Sequence, residues 1–198
     1  MHYLFDMNII LGSGSPRRKH LLKEMGYSFE ILVSDVDESF DNSIDVYTVA
    51  PLLARRKARH LMKNLQEKAL LICCDTVVIF ENEILGKPKD KKEAFDTISR
   101  LSGNKHEVMS AVTLVHGNQI NEFQETTEIT FNELKSNEIQ YYIDEMKPFD
   151  KAGSYGIQEW IGLIAVKEIK GSYTNVIGLP TQRLHQELQK LNLPTNLV

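Results

Sequence analysis

Two cysteines, one tryptophan and no excess of basic residues narrow what this 198-residue chain can be. So little cysteine rules out a disulfide framework. The two present, Cys73 and Cys74, are adjacent in an apolar run that reads as a strand, where neighbouring side chains point to opposite faces. Buried thiols are therefore expected, with a core that at this length needs no covalent staple. The formal net charge of -4 argues against the broad positive face of a general nucleic-acid binder. No nucleic-acid partner is expected, and a phosphate ligand would be a small molecule held in a local basic pocket. No apolar run approaches the roughly 18 residues a membrane helix needs. The opening Met1-His-Tyr-Leu-Phe-Asp6 lacks the basic start and long apolar stretch of a secretion signal. No membrane partner is expected, and the cytoplasm is the expected compartment. Repeats, low-complexity tracts and a clear linker are also missing, so one continuous domain over 1–198 is expected.

What is present alternates between strand and helix. Residues 8–11 read as a strand and 17–25 as a helix stopped by Gly26; 29–33 reads as a second strand. Thr48 and Pro51 open a helix to about Leu65, on which Leu53, Lys57, His60 and Leu61 share a face, placing Lys57 on a partly buried side. The apolar run 69–74 is typical of a strand covered on both faces; it stops at Asp75-Thr76 and resumes at 77–80. Glu81-Asn82 turns the chain into Ile84-Leu85, and Asp90 with Glu93 makes a capping-box start for a helix over 91–101, ended by Gly103. Residues 106–115 and 122–131 form a long hairpin around Gly117-Asn118, Ser136 caps a helix to Met146, and Pro148 stops it. A polar loop at 150–158, a strand at 161–169, a loop at 171–180 and a helix at 181–191 complete the chain. The expectation is an α/β fold with a mixed sheet and flanking helices.

Six segments could carry chemistry. In Leu11-Gly-Ser-Gly-Ser-Pro-Arg-Arg-Lys19, Ser15 can cap a helix whose first residue is Pro16. Two arginines at the positive end of a helix dipole are locally unfavourable, which points to an anion beside Arg17 and Arg18; a solvated basic turn is the other reading. Asp75 follows six apolar residues, and a carboxylate there is costly to bury unless paired, hydrated or metal-bound; the plainer reading is a strand-end turn cap. Lys87, in Gly86-Lys87-Pro88, follows a predicted hairpin that could bring it back toward Asp75 or a phosphate; plain turn chemistry is the other reading. Asp35, Asp37 and Glu38 form an acidic cluster with oxygen ligands suited to Mg²⁺ or Mn²⁺, or else a solvated loop. The glycine-containing segments 150–158 and 171–180 could wrap a ligand, and Gln158 offers both a donor and an acceptor with which to read a base edge. His106 has no second His or Cys at metal-ligand spacing and reads as a structural or surface residue.

In order, Ser13-Gly-Ser-Pro-Arg-Arg18, Ala54-Arg-Arg-Lys-Ala58, Asp75-Thr-Val-Val78, Gly86-Lys-Pro88, Leu101-Ser-Gly103 with His106-Glu-Val108, Asp150-Lys-Ala-Gly153 with Tyr155-Gly-Ile-Gln158, and Gly171-Ser-Tyr-Thr-Asn-Val-Ile-Gly-Leu-Pro180 span nearly the whole chain. Together they resemble the Maf family of nucleoside triphosphate pyrophosphatases. The resemblance implies an elongated, twisted mixed sheet with flanking helices, two lobes around a central cleft, kinship with the inosine-triphosphate pyrophosphatases, and a homodimer. It implies hydrolysis of a nucleoside triphosphate to the monophosphate and pyrophosphate with a divalent cation, Mg, Mn or Co. Asp75 then matches the catalytic carboxylate, and Ser13, Arg17, Lys57 and Lys87 match positions around the triphosphate. Arg18, Thr76 and Gln158 match positions that sort the subfamilies, and the Asp75-Thr76 pair resembles the branch acting on dTTP and UTP. Glu38 matches an acidic position near the metal, with Asp75 as its companion ligand. The same resemblance leaves two other readings: a nucleotide-binding regulator of septum formation, and the branch acting on 7-methyl-GTP. The family commonly has alanine where Gly12 stands, threonine where Ser110 stands, and glycine after the glutamine where Glu159-Trp160 stands.

Overall fold

The computed structural model describes residues 8–41, 43–65 and 69–191. The Met1-to-Asp6 start, read above for a leader, lies outside the described residues. Seven strands form one sheet in the order β2-β1-β3-β5-β6-β7, with β4 paired to β3 off that path. The strands are β1 (Ile9–Leu11), β2 (Glu30–Ile31), β3 (Leu70–Phe80), β4 (Glu83–Leu85), β5 (Lys105–His116), β6 (Gln119–Phe131) and β7 (Val166–Lys170). β1 pairs parallel with both β2 and β3, whereas β4 with β3 and β7 with β6 are antiparallel. The helices are α1 (Pro16–Glu24), α2 (Val46–Leu61), α3 (Lys91–Leu101), α4 (Ser136–Met146), α5 (Trp160–Ala165), α6 (Tyr173–Ile177) and α7 (Thr181–Lys190). The fold is therefore the mixed α/β class expected from the alternation of elements. None of the described helices is long and apolar enough to cross a membrane.

The chain divides into two compact units, one of residues 1–75, 110–125 and 178–198, the other of 76–109 and 126–177. In the first, α2 turns a stripe of Val46, Val49, Ala50, Leu53, Ala54, Lys57, Ala58 and Leu61 inward, at the three- and four-residue spacing of a buried helix face. Ala58 and Leu61 pack with Ile10, Leu71, Cys73 and Val115. The helix starts earlier than Thr48 and Pro51 suggest. Asp45 is its cap, accepting from the Tyr47 N–H at 3.0 Å, and Pro51 lies inside. An aspartate ahead of Tyr47 outcompetes a threonine because its carboxylate also meets the helix dipole. Both cysteines are buried, and neither is in a disulfide. Gly12 is required by close approach: a Cβ there would overlap the Cys73 Sγ and crowd Leu61.

In the second unit α3 packs Ala94, Ile98 and Leu101 against Val78, Val108, Ile129, Phe131 and the α4 residues Ile139, Tyr142 and Ile143. Its start is close to the expected capping box: Asp90 is the cap and accepts from the Glu93 N–H at 2.8 Å, but Glu93 reaches one residue past the cap, to the Lys89 N–H at 2.9 Å. For α4 the cap position is Lys135 rather than Ser136, and Glu138 reaches back to the Lys135 N–H at 2.7 Å. Residues 161–169 are not one strand. Trp160–Ala165 is helical, burying Ile161 and Ala165 one turn apart and leaving Leu163 83% exposed, which a period of two could not do. The loop 171–180 likewise contains α6.

Of the two expectations for His106, a structural or a surface residue, its position excludes the surface. It is buried, bonded through Nε2 to the Tyr155 hydroxyl at 2.8 Å, and edge-on to Phe131 and Tyr155. Burial lowers its pKa to about 4. As pH falls below about 6.5 the unfolded chain binds a proton that the folded chain refuses until about 4, so stability declines across that window by on the order of 3 kcal/mol. Urea denaturation from pH 7 to 4 is expected to show this decline and His106→Gln to flatten it; an equal slope in the variant overturns the assignment. Gly12→Ala is expected to cost about 1–3 kcal/mol by overpacking, and Cys73→Ala in the same chain to recover much of it. Additive losses in thermal unfolding would contradict the contact.

Candidate functional site

The candidate site in the first unit is built on a lysine in the apolar stripe of α2 and an aspartate inside a core strand. β3 does not stop at Asp75; it runs unbroken from Leu70 to Phe80, with ten of its eleven residues buried and only Thr76 partly exposed. A carboxylate in such a strand needs a counter-charge, and Lys57 supplies it. The Lys57 Nζ donates to Asp75 Oδ1 at 2.5 Å and lies 2.6 Å from Glu38 Oε1. Lys57 and Asp75 are each 8% exposed. Burial alone would lower the lysine pKa, but the charge and hydrogen bond of Asp75, then those of Glu38, more than reverse this and hold it above the ordinary lysine value. The ammonium stays charged between two carboxylates.

Glu38 is held differently, on a loop. Arg56, next to Lys57 on α2, donates through Nη1 to the backbone carbonyls of Asp37 at 2.5 Å and Ser39 at 2.8 Å. One guanidinium thus grips the chain on both sides of Glu38. The acidic cluster does not act as a unit. Asp35 is 3.2 Å from His60 Nε2, Asp37 binds the Ser39 N–H and hydroxyl, and only Glu38 reaches Lys57. Among the described residues no three His, Cys, Asp or Glu side chains form a metal cage. Glu38 and Asp75 nevertheless share one cation, so they form a neighbouring pair of hard oxygen donors, the set that Mg²⁺ or Mn²⁺ takes together with phosphate oxygens and water.

The turn before α1 folds as its residues suggest, with one reassignment. Ser15 is the N-cap, its hydroxyl 3.5 Å from the Arg18 N–H, and Pro16 is the first helical residue. Buried Ser13 accepts from the Ser15 N–H at 3.3 Å. Arg17 is half-buried in the first turn. Arg18 turns to the protein instead: its Nη1 donates to Ser13 Oγ at 3.0 Å and its Nε to the Gly178 carbonyl at 2.9 Å. The Cys74 thiol meets the same carbonyl at 3.4 Å. Arg18 therefore ties the first motif to the last. The Gly178 carbonyl was not visible in the sequence as a functional group, because no local pattern announces a backbone acceptor 160 residues away.

Thr76, Lys87 and Gln158 belong to the second unit. Lys87 is exposed beside Gly86, whose carbonyl accepts from the Gly153 N–H at 3.1 Å, so two motif segments meet there. Gln158 is exposed at the tip of a turn. Asn175, from the glycine-rich 171–180 segment, donates to the Val108 carbonyl and to Thr127 Oγ1, both at 2.9 Å. These are staples between motifs, and sequence order alone could not reveal them.

A buried lysine–carboxylate pair and a serine-capped, arginine-bearing helix start lie in the same unit of a mixed α/β protein, a set of groups chemically suited to hold a phosphorylated small molecule. The family model for Maf-like proteins matches residues 8–191, and the chain belongs to that family. A dTTP/UTP pyrophosphatase of Flavobacterium psychrophilum is 44% identical over 180 residues, covering 91% of this chain and 92% of its own. A dTTP/UTP pyrophosphatase of Halalkalibacterium halodurans is 45% identical over 181 residues, covering 91% and 94%. Among solved structures, the Ham1 protein of Staphylococcus aureus superposes with a TM-score of 0.49 at 14% identity, covering 93% of this chain and 99% of its own.

Removing one member of the buried pair strands the other. Lys57→Met is expected to lower stability to urea by about 3–5 kcal/mol, because Asp75 loses its cation, and Asp75→Asn added to it is expected to restore most of that. A double variant no more stable than the single one would show that the two side chains are not energetically coupled.

Proposed function

We propose that this protein is a nucleoside triphosphate pyrophosphatase acting on dTTP and UTP, releasing the monophosphate and pyrophosphate. The Lys57–Asp75 pair inside the core carries the reading. A fold that only had to be stable would do as well or better with apolar residues there, and relatives at 44% and 45% identity are dTTP/UTP pyrophosphatases.

The reaction adds water at the α-phosphorus and breaks the bond to the bridging oxygen of the leaving pyrophosphate. Negative charge grows on that leaving group, so the larger share of the work is positioning and charge neutralisation. Ser13 and Arg17 would hold the triphosphate at the start of α1, where the backbone and helix dipole also favour an anion. Lys57 and Lys87 would balance the charge that develops on pyrophosphate. Asp75 would accept the proton of the attacking water, the role its carboxylate is free to take once Lys57 turns toward phosphate. Glu38 and Asp75 would hold a divalent cation, Mg, Mn or Co, which when bound supplies charge neutralisation at the phosphates. Thr76 and Gln158 would meet the nucleotide's base, while Arg18 would act on selection indirectly, by fixing Ser13 and the Gly178 carbonyl.

The test is pyrophosphate release from dTTP, UTP, CTP, GTP and 7-methyl-GTP with Mg²⁺, Mn²⁺ or Co²⁺. Turnover is expected to be fastest with dTTP and UTP. Asp75→Asn is expected to lower kcat by at least about 100-fold while nucleotide binding by calorimetry stays within about threefold. Binding without turnover in the unaltered protein would favour a nucleotide sensor, and preference for 7-methyl-GTP would place it in the other branch.

A further inference from the structure

The residue after Gln158, Glu159, carries a side chain that the structure ties into the turn. Residues 156–159 form a turn closed by the Glu159 N–H donating to the Gly156 carbonyl at 2.9 Å. Ile157 points into the core and Gln158 is the exposed member. The Glu159 side chain folds back beneath this turn. Its Oε2 accepts from the Tyr142 hydroxyl at 2.5 Å, and its Oε1 lies 3.1 Å from the Lys151 Nζ. The Tyr142 hydroxyl also accepts from the Gly156 N–H at 3.0 Å, so one oxygen clamps both ends of the turn.

The clamp is rigid because its base is. Tyr142 is fully buried on α4, and Lys151 is 8% exposed and shared with Asp150 at 2.8 Å. Burial, then the hydrogen bond and charge of Glu159, push the Tyr142 pKa well above the ordinary phenol value, so the hydroxyl keeps its proton to donate. Room for the carboxylate exists because residue 156 is glycine; a Cβ there would sit 2.9 Å from Glu159 Cδ. Beyond the turn, the Glu159 carbonyl accepts from the Gly162 N–H at 2.9 Å and starts α5.

We propose that Glu159 is a positioning residue for Gln158: held by Tyr142 and Lys151, its carboxylate locks the Gly156–Glu159 turn and makes this buried network a determinant of which nucleobase the enzyme accepts. The proposal rests on the reading that Gln158 meets the base. A side chain reads donor and acceptor edges only if its backbone is held, since a wandering amide accepts several bases about equally. Glu159 holds the turn through a side-chain anchor on Tyr142 and Lys151.

The test compares the unaltered enzyme with Glu159→Gly, Glu159→Gln and Tyr142→Phe on dTTP, UTP, CTP and GTP, and follows amide exchange at Gly156 and Gln158. Glu159→Gly and Tyr142→Phe are expected to raise KM for the best pyrimidine triphosphate about 10-fold with kcat within about twofold. The kcat/KM ratio between the best and worst bases is expected to narrow by a similar factor. Glu159→Gln keeps an acceptor for Tyr142 and loses the charge pair with Lys151, so a smaller change is expected. Gly156 exchange is expected to quicken about 10-fold in Tyr142→Phe. Unchanged base ratios despite faster exchange would overturn the proposal by leaving the network a purely structural role. Unchanged exchange would overturn it as well. Turnover with altered exchange but equal base ratios rejects this proposal alone, whereas absence of turnover in the unaltered enzyme rejects the pyrophosphatase reading and this proposal with it.

Discussion

The ion pair between Lys57 and Asp75 is the constraint around which the first unit is arranged. Each group sits where its own element calls for an apolar side chain: Lys57 in the inward stripe of α2, Asp75 in a strand buried on both sides. Neither could stay charged there alone, since burying an unpaired ion costs several kcal/mol even after relaxation. The pair therefore fixes where α2 stands over β3. Alanines at 54 and 58 flank Lys57 on the helix and allow close packing at that level. The bulkier contacts come a turn further along, where Leu61 packs with Cys73 and Leu71, and there Gly12 is kept bare to make room.

Within each unit, motif segments far apart in the sequence are bonded to one another. Arg18 and Cys74 share the Gly178 carbonyl; Gly86 accepts from Gly153; Asn175 donates to Val108. Each bond joins residues far apart in the chain through a backbone group, which no substitution can supply or remove directly. Much of what these motif segments do in the structure is thus to brace one another.

Legibility in the sequence followed the range of the interaction responsible. The start of α3 is fixed by Asp90 and Glu93 three residues apart, and the hairpin of β5 and β6 by a two-residue turn, so both could be read locally. The buried side of Lys57 was legible from helical spacing. Asp75 was recognisable as costly, yet its strand reads as interrupted because its partner lies 18 residues back on a helix. The segment 161–169 misleads for another reason: Ile161-Gly-Leu-Ile-Ala-Val is apolar throughout, and only the exposure of Leu163 and Ile164 shows a helical rather than an alternating period. Arg18 was legible as a charge, but not its direction, which depends on a carbonyl 160 residues away.

The two carboxylates on Lys57 are not equivalent, and the difference gives the site a direction of change. The Asp75 side chain is 11% exposed within a strand, whereas that of Glu38 is 50% exposed on a loop. An ion pair open to water to that degree is worth about 0–1 kcal/mol, while breaking a buried one costs several. On the pyrophosphatase reading, an incoming triphosphate that competes for Lys57 displaces Glu38 first and cheaply. Arg56, gripping the chain on either side of Glu38, keeps the released carboxylate near the phosphates, where a divalent cation needs oxygen donors. Asp75 keeps its place throughout, because β3 holds it. The rigid carboxylate is thus the one suited to take a proton from water, and the loosely held one is suited to yield its place to substrate.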